Sequence, residues 1–169
     1  MMKKLRIGVM GMGYVGLPLA LALQKNFKVS AFDVDKKKIN ELKNNFDRNN
    51  QFSKNELKKS KNIEYFDHII NLKNCDTFII AVPTPVDEKK KPDLSILKKA
   101  TEDVSKVISK NNTVIYESTV YPGVTEDICI PIIEKKTNLK INKDFFCGYS
   151  PERINPGDKK KKIENIIKI

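Results

Sequence analysis

The sequence predicts a parallel, doubly wound α/β sheet. Three observations lead there. Strand-like and helix-like apolar patterns alternate along the whole chain. The first apolar run, Leu5 to Met10, enters Gly11-Met12-Gly13-Tyr14-Val15-Gly16, and an apolar helical pattern follows at once. The segment Thr77 to Val82 is apolar almost throughout, as a central parallel strand buried on both faces must be.

The elements follow in order. A first strand is expected at 4–10. The helix after the glycines is expected at 14–26, with Val15, Leu17, Leu19, Ala20 and Leu23 apolar. A second strand covers 28–33. Asp35 then caps a helix over 35–45 that turns Ile39, Leu42 and Phe46 to one face. Residues 47–51 are polar and loop-like. Ser53 and Glu56 have capping-box spacing and start a short helix. A strand at 63–66 and a helical turn from His68 to Asn74 come next. His68 is the chain's single histidine and reads as surface or helix-end structure. Pro83 and Pro85 stop the strand at 77–82, and a charged loop runs to Pro92. Asp93 caps a helix over 94–109. A strand at 113–116, a helix at 123–136 kinked by Pro131, and a strand at 144–148 complete the set. No solenoid-period repeat interrupts this order, and 1–169 reads as one domain.

Composition removes several function classes. An apolar fraction of 40% is that of a folded protein, and no apolar stretch is long enough to span a membrane. Met1 to Arg6 has the charge of a signal n-region, but the apolar run behind it is short and broken by glycine. A cytoplasmic protein without membrane contact is the expectation. Cys75, Cys129 and Cys147 are widely spaced and form no CxxC pair, so no metal site is expected. Cys129 and Cys147 lie in apolar runs and read as buried, inert thiols. The net charge of +11 comes from lysine clusters at 36–38, 58–61, 89–91 and 159–162. Base-stacking aromatics do not interleave with them, and they fall in separate places. They read as solvated surface, not as a nucleic-acid interface.

The glycine segment carries the chemistry. Gly11 permits a tight turn, Gly13 lets backbone approach a pyrophosphate, and Gly16 lets the helix pack on the strand. Free N–H groups of Tyr14, Val15 and their neighbours then face phosphate at the positive helix end. Seventeen residues after Gly16, Asp33 ends the second strand. A carboxylate there accepts hydrogen bonds from the adenosine ribose and repels a 2′-phosphate. The cofactor expected is therefore NAD, bound by a Rossmann-type sheet. Simple capping by Asp33 is the competing structural role. Ligands in such sheets lie at the carboxyl ends of the strands, where Val82-Pro83-Thr84, Ser118-Thr119 and Glu152-Arg153 also fall. Ser118 and Thr119 offer hydroxyls near the nicotinamide position, or satisfy loop backbone instead. Glu152 offers a carboxylate for proton transfer, and Arg153 a cation for an anionic substrate. A loop-closing Glu152–Arg153 pair is the alternative.

Four motifs in order extend over nearly the whole chain. They are Gly11-Met-Gly-Tyr-Val-Gly-Leu-Pro-Leu, Val82-Pro-Thr-Pro, Glu117-Ser-Thr-Val-Tyr-Pro-Gly-Val-Thr-Glu and Tyr149-Ser-Pro-Glu-Arg-Ile-Asn-Pro-Gly-Asp. Together they resemble the UDP-glucose/GDP-mannose dehydrogenase family. The last is most similar to the UDP-N-acetylhexosamine 6-dehydrogenases of bacterial capsule and O-antigen synthesis. The resemblance implies oxidation of a sugar C6 alcohol to a carboxylate with two NAD⁺, through a cysteine-bound thiohemiacetal and thioester. It implies that Thr119 stands near the reacting centre and that Glu152 serves acid–base work and thioester hydrolysis. The substrate implied is a UDP-sugar, with Glu152 and Arg153 on its side of the site.

Members of that family run to more than twice this length. Their nucleophilic cysteine, catalytic lysine, central dimerisation helix and UDP-gripping domain lie beyond residue 169. None of the three cysteines present stands in the nucleophile's motif. The expectation is an N-terminal NAD-binding half, inactive alone, of an enzyme that is homodimeric when complete. A non-catalytic NAD-binding module is the competing reading.

Overall fold

The computed structural model describes residues 5–86 and 90–151. Its strands are β1 (Arg6–Met10), β2 (Lys28–Phe32), β3 (Ile63–Phe66), β4 (Thr77–Ile80), β5 (Asn112–Tyr116) and β6 (Phe145–Tyr149). All pair in parallel, in the order β3-β2-β1-β4-β5-β6. The chain builds outward from β1 to β3, then crosses back to β4 on the other side of β1. The order therefore reverses between β1 and β4, and a crevice opens beyond their carboxyl ends.

Alternation along the strands divides the core into two layers. On one face Ile7, Val9, Val29, Ala31 and Ile79 pack with Leu17 and Ala20 of α1 (Gly16–Leu23), Ile39 and Leu42 of α2 (Lys36–Lys43), and Leu57 of α3 (Lys54–Lys58). On the other face Met10, Phe78, Ile80, Val114 and Tyr116 pack with Leu97, Ala100 and Val104 of α4 (Ser95–Ser105) and Ile133 of α5 (Ile130–Thr137). Phe78, Leu17 and Ile133 are fully buried. Each such side chain contributes on the order of 1.5–3 kcal/mol of transfer free energy. Between β3 and β4, Ile69–Leu72 forms a single 3₁₀ turn.

Local chemistry sets the helix starts. Asp35 accepts the Lys38 N–H at 3.0 Å and caps α2. Ser53 and Glu56 form both halves of the capping box at α3. Asp93 accepts the Ser95 N–H at 2.8 Å, one position ahead of the residue that formally caps α4. Asn138 (φ 59°) closes α5 in the left-handed region, which asparagine tolerates.

Several expectations need correction. The helix expected at 14–26 is only Gly16–Leu23, because the glycine turn uses the chain up to Val15. The helix expected at 94–109 ends at Ser105. Tight turns at Lys106 and Val107 then bring the chain round to β5. Phe46 leaves the buried face of α2 and is exposed, since Asn45 turns left-handed (φ 58°) before it. The loop 47–51 is not simply solvated. Asp47 is buried and accepts the N–H groups of Asn49, Gln51 and Phe52. The helix expected at 123–136 begins as a π-helical segment, Val124–Cys129, and becomes regular only at Ile130. Pro131 then falls in the first turn of α5, where its missing N–H costs nothing, so the wider turn replaces the expected kink. Cys129 is buried as expected and Cys147 only partly so, while Cys75 is buried as well.

Candidate functional site

A cleft of about 890 Å³ lies at the carboxyl ends of β1, β2, β4 and β5. Gly11, Gly13, Tyr14, Val15, Asp33, Val82, Pro83, Thr84, Ser118 and Thr119 all line it. These are ten of the positions that sequence reasoning singled out, and they come from four separate segments. Gly16 does not line the cleft; it is buried beneath the turn. Glu152 and Arg153 lie outside the described residues.

The turn after β1 depends on its glycines. Gly11 has φ 93°, and a side chain there would meet the Ala81 carbonyl oxygen at 2.7 Å. A Cβ on Gly16 would lie 1.7 Å from the Gly11 carbonyl oxygen. Only glycine lets α1 start this close to the turn. Gly13 is different, for a Cβ there would meet nothing within 4 Å. Its bare backbone faces open cleft. No side chain caps α1 at Val15, which leaves the positive end of the helix available to an anion. An open approach at Gly13, an uncapped helix end and an acid after β2 together fit a dinucleotide.

Asp33 is 6% exposed although it is charged. Its Oδ2 accepts the Met12 N–H at 2.8 Å and the Lys38 ammonium at 2.8 Å. Its Oδ1 accepts the Asp35 N–H at 2.9 Å. A buried carboxylate requires such partners. Capping of α2 belongs to Asp35 instead, and the Lys38 N–H bond is the main cause holding its carboxyl below the usual range. Arg48 bridges Asp35 at 2.7 Å and Glu41 at 2.6 Å, tying the loop after α2 to this corner.

On the β4–β5 side, the Ser118 hydroxyl donates to the Val82 carbonyl at 2.7 Å. The Thr84 hydroxyl donates to the Thr119 carbonyl. The two loops are thus stitched together by the residue types expected to touch cofactor. Ser118, 2% exposed, holds the wall of the cleft through its hydroxyl, and both it and Thr119 line the cleft. Glu117, a buried acid at the end of β5, also lines the cleft, as do Val34, Lys38, Lys99 and Asp103. Sequence reasoning left these last five out of the site. The position of Glu117 directly after β5, and of Val34 next to Asp33, was the available signal. For Lys38 the signal was its place in the first turn of the helix behind Asp33.

The descriptive family model for the UDP-glucose/GDP-mannose dehydrogenase family, NAD binding domain, matches residues 5–169. The protein CapL of Staphylococcus aureus is 54% identical over 163 residues, which are 96% of this chain and 38% of CapL. The UDP-N-acetyl-D-glucosamine 6-dehydrogenase of Pseudomonas aeruginosa is 48% identical over 99% of this chain and 40% of its own length. Among solved structures, the UDP-D-ManNAc dehydrogenase of Pyrococcus horikoshii superimposes with a TM-score of 0.81 at 32% identity. That match covers 90% of this chain and 37% of the other. The chain thus spans about two-fifths of the length of the curated relatives it matches. With three of its four motifs meeting at one cleft and its matched segment covering nearly every residue, the chain belongs to the UDP-glucose/GDP-mannose dehydrogenase family, in the part that forms the NAD-binding domain.

Proposed function

We propose that this chain is the NAD-binding half of a nucleotide-sugar 6-dehydrogenase. The complete protein would oxidise the C6 alcohol of a UDP-N-acetylhexosamine to the uronate, in the cytoplasm, for capsule or O-antigen polysaccharide. The observation that carries this reading is the cleft at the β1–β4 reversal, with an open glycine backbone at one wall and a buried acid at another. The 48% identity to a UDP-N-acetyl-D-glucosamine 6-dehydrogenase supports the choice of sugar. Its partner in the reaction is a UDP-sugar, and the complete protein works as a homodimer through segments beyond residue 169.

In this reading the residues divide the work. Gly11 and Gly16 shape the turn, and Gly13 with the α1 end receives the pyrophosphate. Asp33 accepts the adenosine ribose hydroxyls. Val82, Pro83, Thr84, Ser118 and Thr119 form the wall that carries the nicotinamide. What NAD⁺ supplies when bound is a hydride acceptor for the C6 carbon. Glu152 handles protons and orients water there, and Arg153 holds the anionic substrate.

Two measurements test the reading. Calorimetry on this chain with NAD⁺ tests the cofactor site. The complete gene product with NAD⁺ and UDP-N-acetylglucosamine, UDP-N-acetylgalactosamine or UDP-glucose tests the chemistry through NADH absorbance. Turnover of an N-acetylated sugar in preference to UDP-glucose is expected. NAD⁺ binding without turnover of any sugar would overturn the dehydrogenase reading in favour of a non-catalytic NAD module.

A further inference from the structure

We propose that the pocket at the amino ends of β1, β2, β4 and β5 binds the phosphate group of an anionic ligand. This site lies at the opposite pole from the dinucleotide cleft and is independent of the dehydrogenase reading.

In a parallel sheet every strand begins at one pole and ends at the other. The connections that enter β2 to β6, residues 24–27, 59–62, 73–76, 106–111 and 138–144, carry eight lysines and two acids, Asp76 and Asp144. The connections that leave the strands toward the cleft, residues 11–15, 33–35, 67–68, 81–94 and 117–123, carry five acids and two lysines among the described residues. Lysines far apart in the sequence thus share one end of the fold, where their fields add.

A pocket of about 690 Å³ opens in that pole. Arg6 and Lys28 begin β1 and β2, are partners in register, and line it together with Lys73 and Lys110. One acid lines it, Asp76, and its Oδ2 accepts the Arg6 N–H at 2.9 Å. The four cations differ in their commitments. Lys110 meets Asp144 at 3.0 Å, and Arg6 reaches Glu64 only at 3.7 Å in an exposed contact. Lys28 and Lys73 are exposed and form no ion pair among the described residues.

The pocket also holds a buried donor. Asn112 is 9% exposed, and its Oδ1 accepts the Ser109 N–H at 2.7 Å. That bond fixes the amide, whose NH2 has no protein acceptor among the described residues. A buried donor without a partner is costly unless a ligand or water takes it. Phosphate offers acceptors for such an amide and for ammonium groups together. No aromatic side chain lines the pocket, so a nucleobase has nothing to stack on. The site therefore suits phosphate itself, carried by a soluble anion or by a lipid headgroup.

Calorimetry with pyrophosphate at low salt tests the site on this chain, with saturating NAD⁺ present so that the cleft is filled. Lys28→Ala/Lys73→Ala should weaken pyrophosphate binding by at least about tenfold and leave Tm and NAD⁺ affinity unchanged. Asn112→Asp keeps the acceptor for Ser109, replaces the donor by a carboxylate, and should weaken binding too. Lys54→Ala/Lys98→Ala removes as much charge from exposed positions outside the pocket and should bind as wild type does. Co-sedimentation with phosphatidylglycerol vesicles, against phosphatidylcholine, identifies the source. Vesicle binding that the Lys28/Lys73 variant loses assigns a lipid headgroup, and pyrophosphate binding without vesicle binding assigns a soluble anion. A wild type that binds neither vesicles nor pyrophosphate up to about 10 mM overturns the inference. So do equal losses in the two lysine pairs, which would mean diffuse charge rather than a site. Failure of NAD⁺ to bind, with lysine-dependent pyrophosphate binding intact, would overturn the cofactor reading alone.

Discussion

Replacing Gly13 and Gly16 by alanine, one at a time, separates fold from function within a single turn. The two glycines are three residues apart, yet the space around them is opposite. At Gly16 an added Cβ would lie 1.7 Å from the Gly11 carbonyl oxygen and 3.0 Å from its carbon. The obstacle is backbone, in a residue already at φ 93°, so no side chain can swing away. The carbonyl must shift by more than an ångström, which places Gly16→Ala at the severe end of overpacking, about 3 kcal/mol or more. For a chain of this size that lowers Tm by roughly 6–12 °C. At Gly13 the added Cβ meets nothing within 4 Å, so stability should stay within about 0.5 kcal/mol. The same methyl would occupy the space through which a phosphate oxygen approaches the backbone at about 2.9 Å. NAD⁺ should bind Gly13→Ala at least about tenfold more weakly, equivalent to about 1.4 kcal/mol. Thermal unfolding and calorimetry on both variants read the two effects. Wild-type NAD⁺ affinity in a Gly13→Ala protein of normal Tm would show that the open backbone is not the phosphate cradle.

Three further outcomes follow from other parts of the molecule. In the complete protein, Glu152→Gln should leave NAD⁺ affinity and Tm nearly unchanged while slowing turnover by about 10²–10⁴-fold; turnover close to wild type would return Glu152 to a structural pairing with Arg153. Burial pushes the Cys75 thiol up to about 11 and the partly buried Cys147 thiol to about 12, so iodoacetamide at neutral pH should modify both at least about a hundredfold more slowly in the folded chain than in guanidinium, and equal rates would refute that shielding. Asp144 is held below its ordinary value first by the Lys110 side chain, at 3.0 Å, and then by the Lys140 N–H; because the folded value is the lower one, its stabilisation is present above about pH 4 and is lost as pH falls, so Asp144→Asn should flatten the acid limb of a Tm–pH curve.

The succession of strands along the chain and the walls of the cleft were legible because their signals are local. A glycine that must turn at φ 93°, a strand buried on both faces and an acid at a strand end each have a fixed place in the chain. Helix ends were less legible, since apolar residues continue past them. Val15 is apolar and lines the cleft, whereas the pattern assigned it to a helix. Val107 and Ile108 are apolar and buried, yet they lie beyond the end of α4. Periodicity reports burial, not the backbone conformation that achieves it. Pro131 was read as a kink because sequence does not announce a π-helical segment upstream of it.

The acids show where one-dimensional reasoning stops. Asp33 and Asp47 are buried to a similar degree, 6% and 5% exposed. Each gathers backbone N–H groups, and each directly follows a phenylalanine. Asp47 spends its oxygens on Asn49, Gln51 and Phe52 and so folds a loop on itself. Asp33 reaches across 21 positions to the Met12 N–H and takes the Lys38 ammonium, so it joins the glycine turn to the start of α2. The difference is long-range pairing, and it is what makes one acid a structural knot and the other a wall of the cleft. It also makes the two acids respond differently to loss. Asp47→Asn removes the charge from a carboxylate that accepts three N–H bonds and should act on stability alone. Asp33→Asn should disturb both the glycine turn and the lysine that line the cleft, so its effect on dinucleotide binding should exceed its effect on Tm. Similar losses of binding in the two variants, at matched Tm, would mean that Asp33 too is only a fold-holding acid.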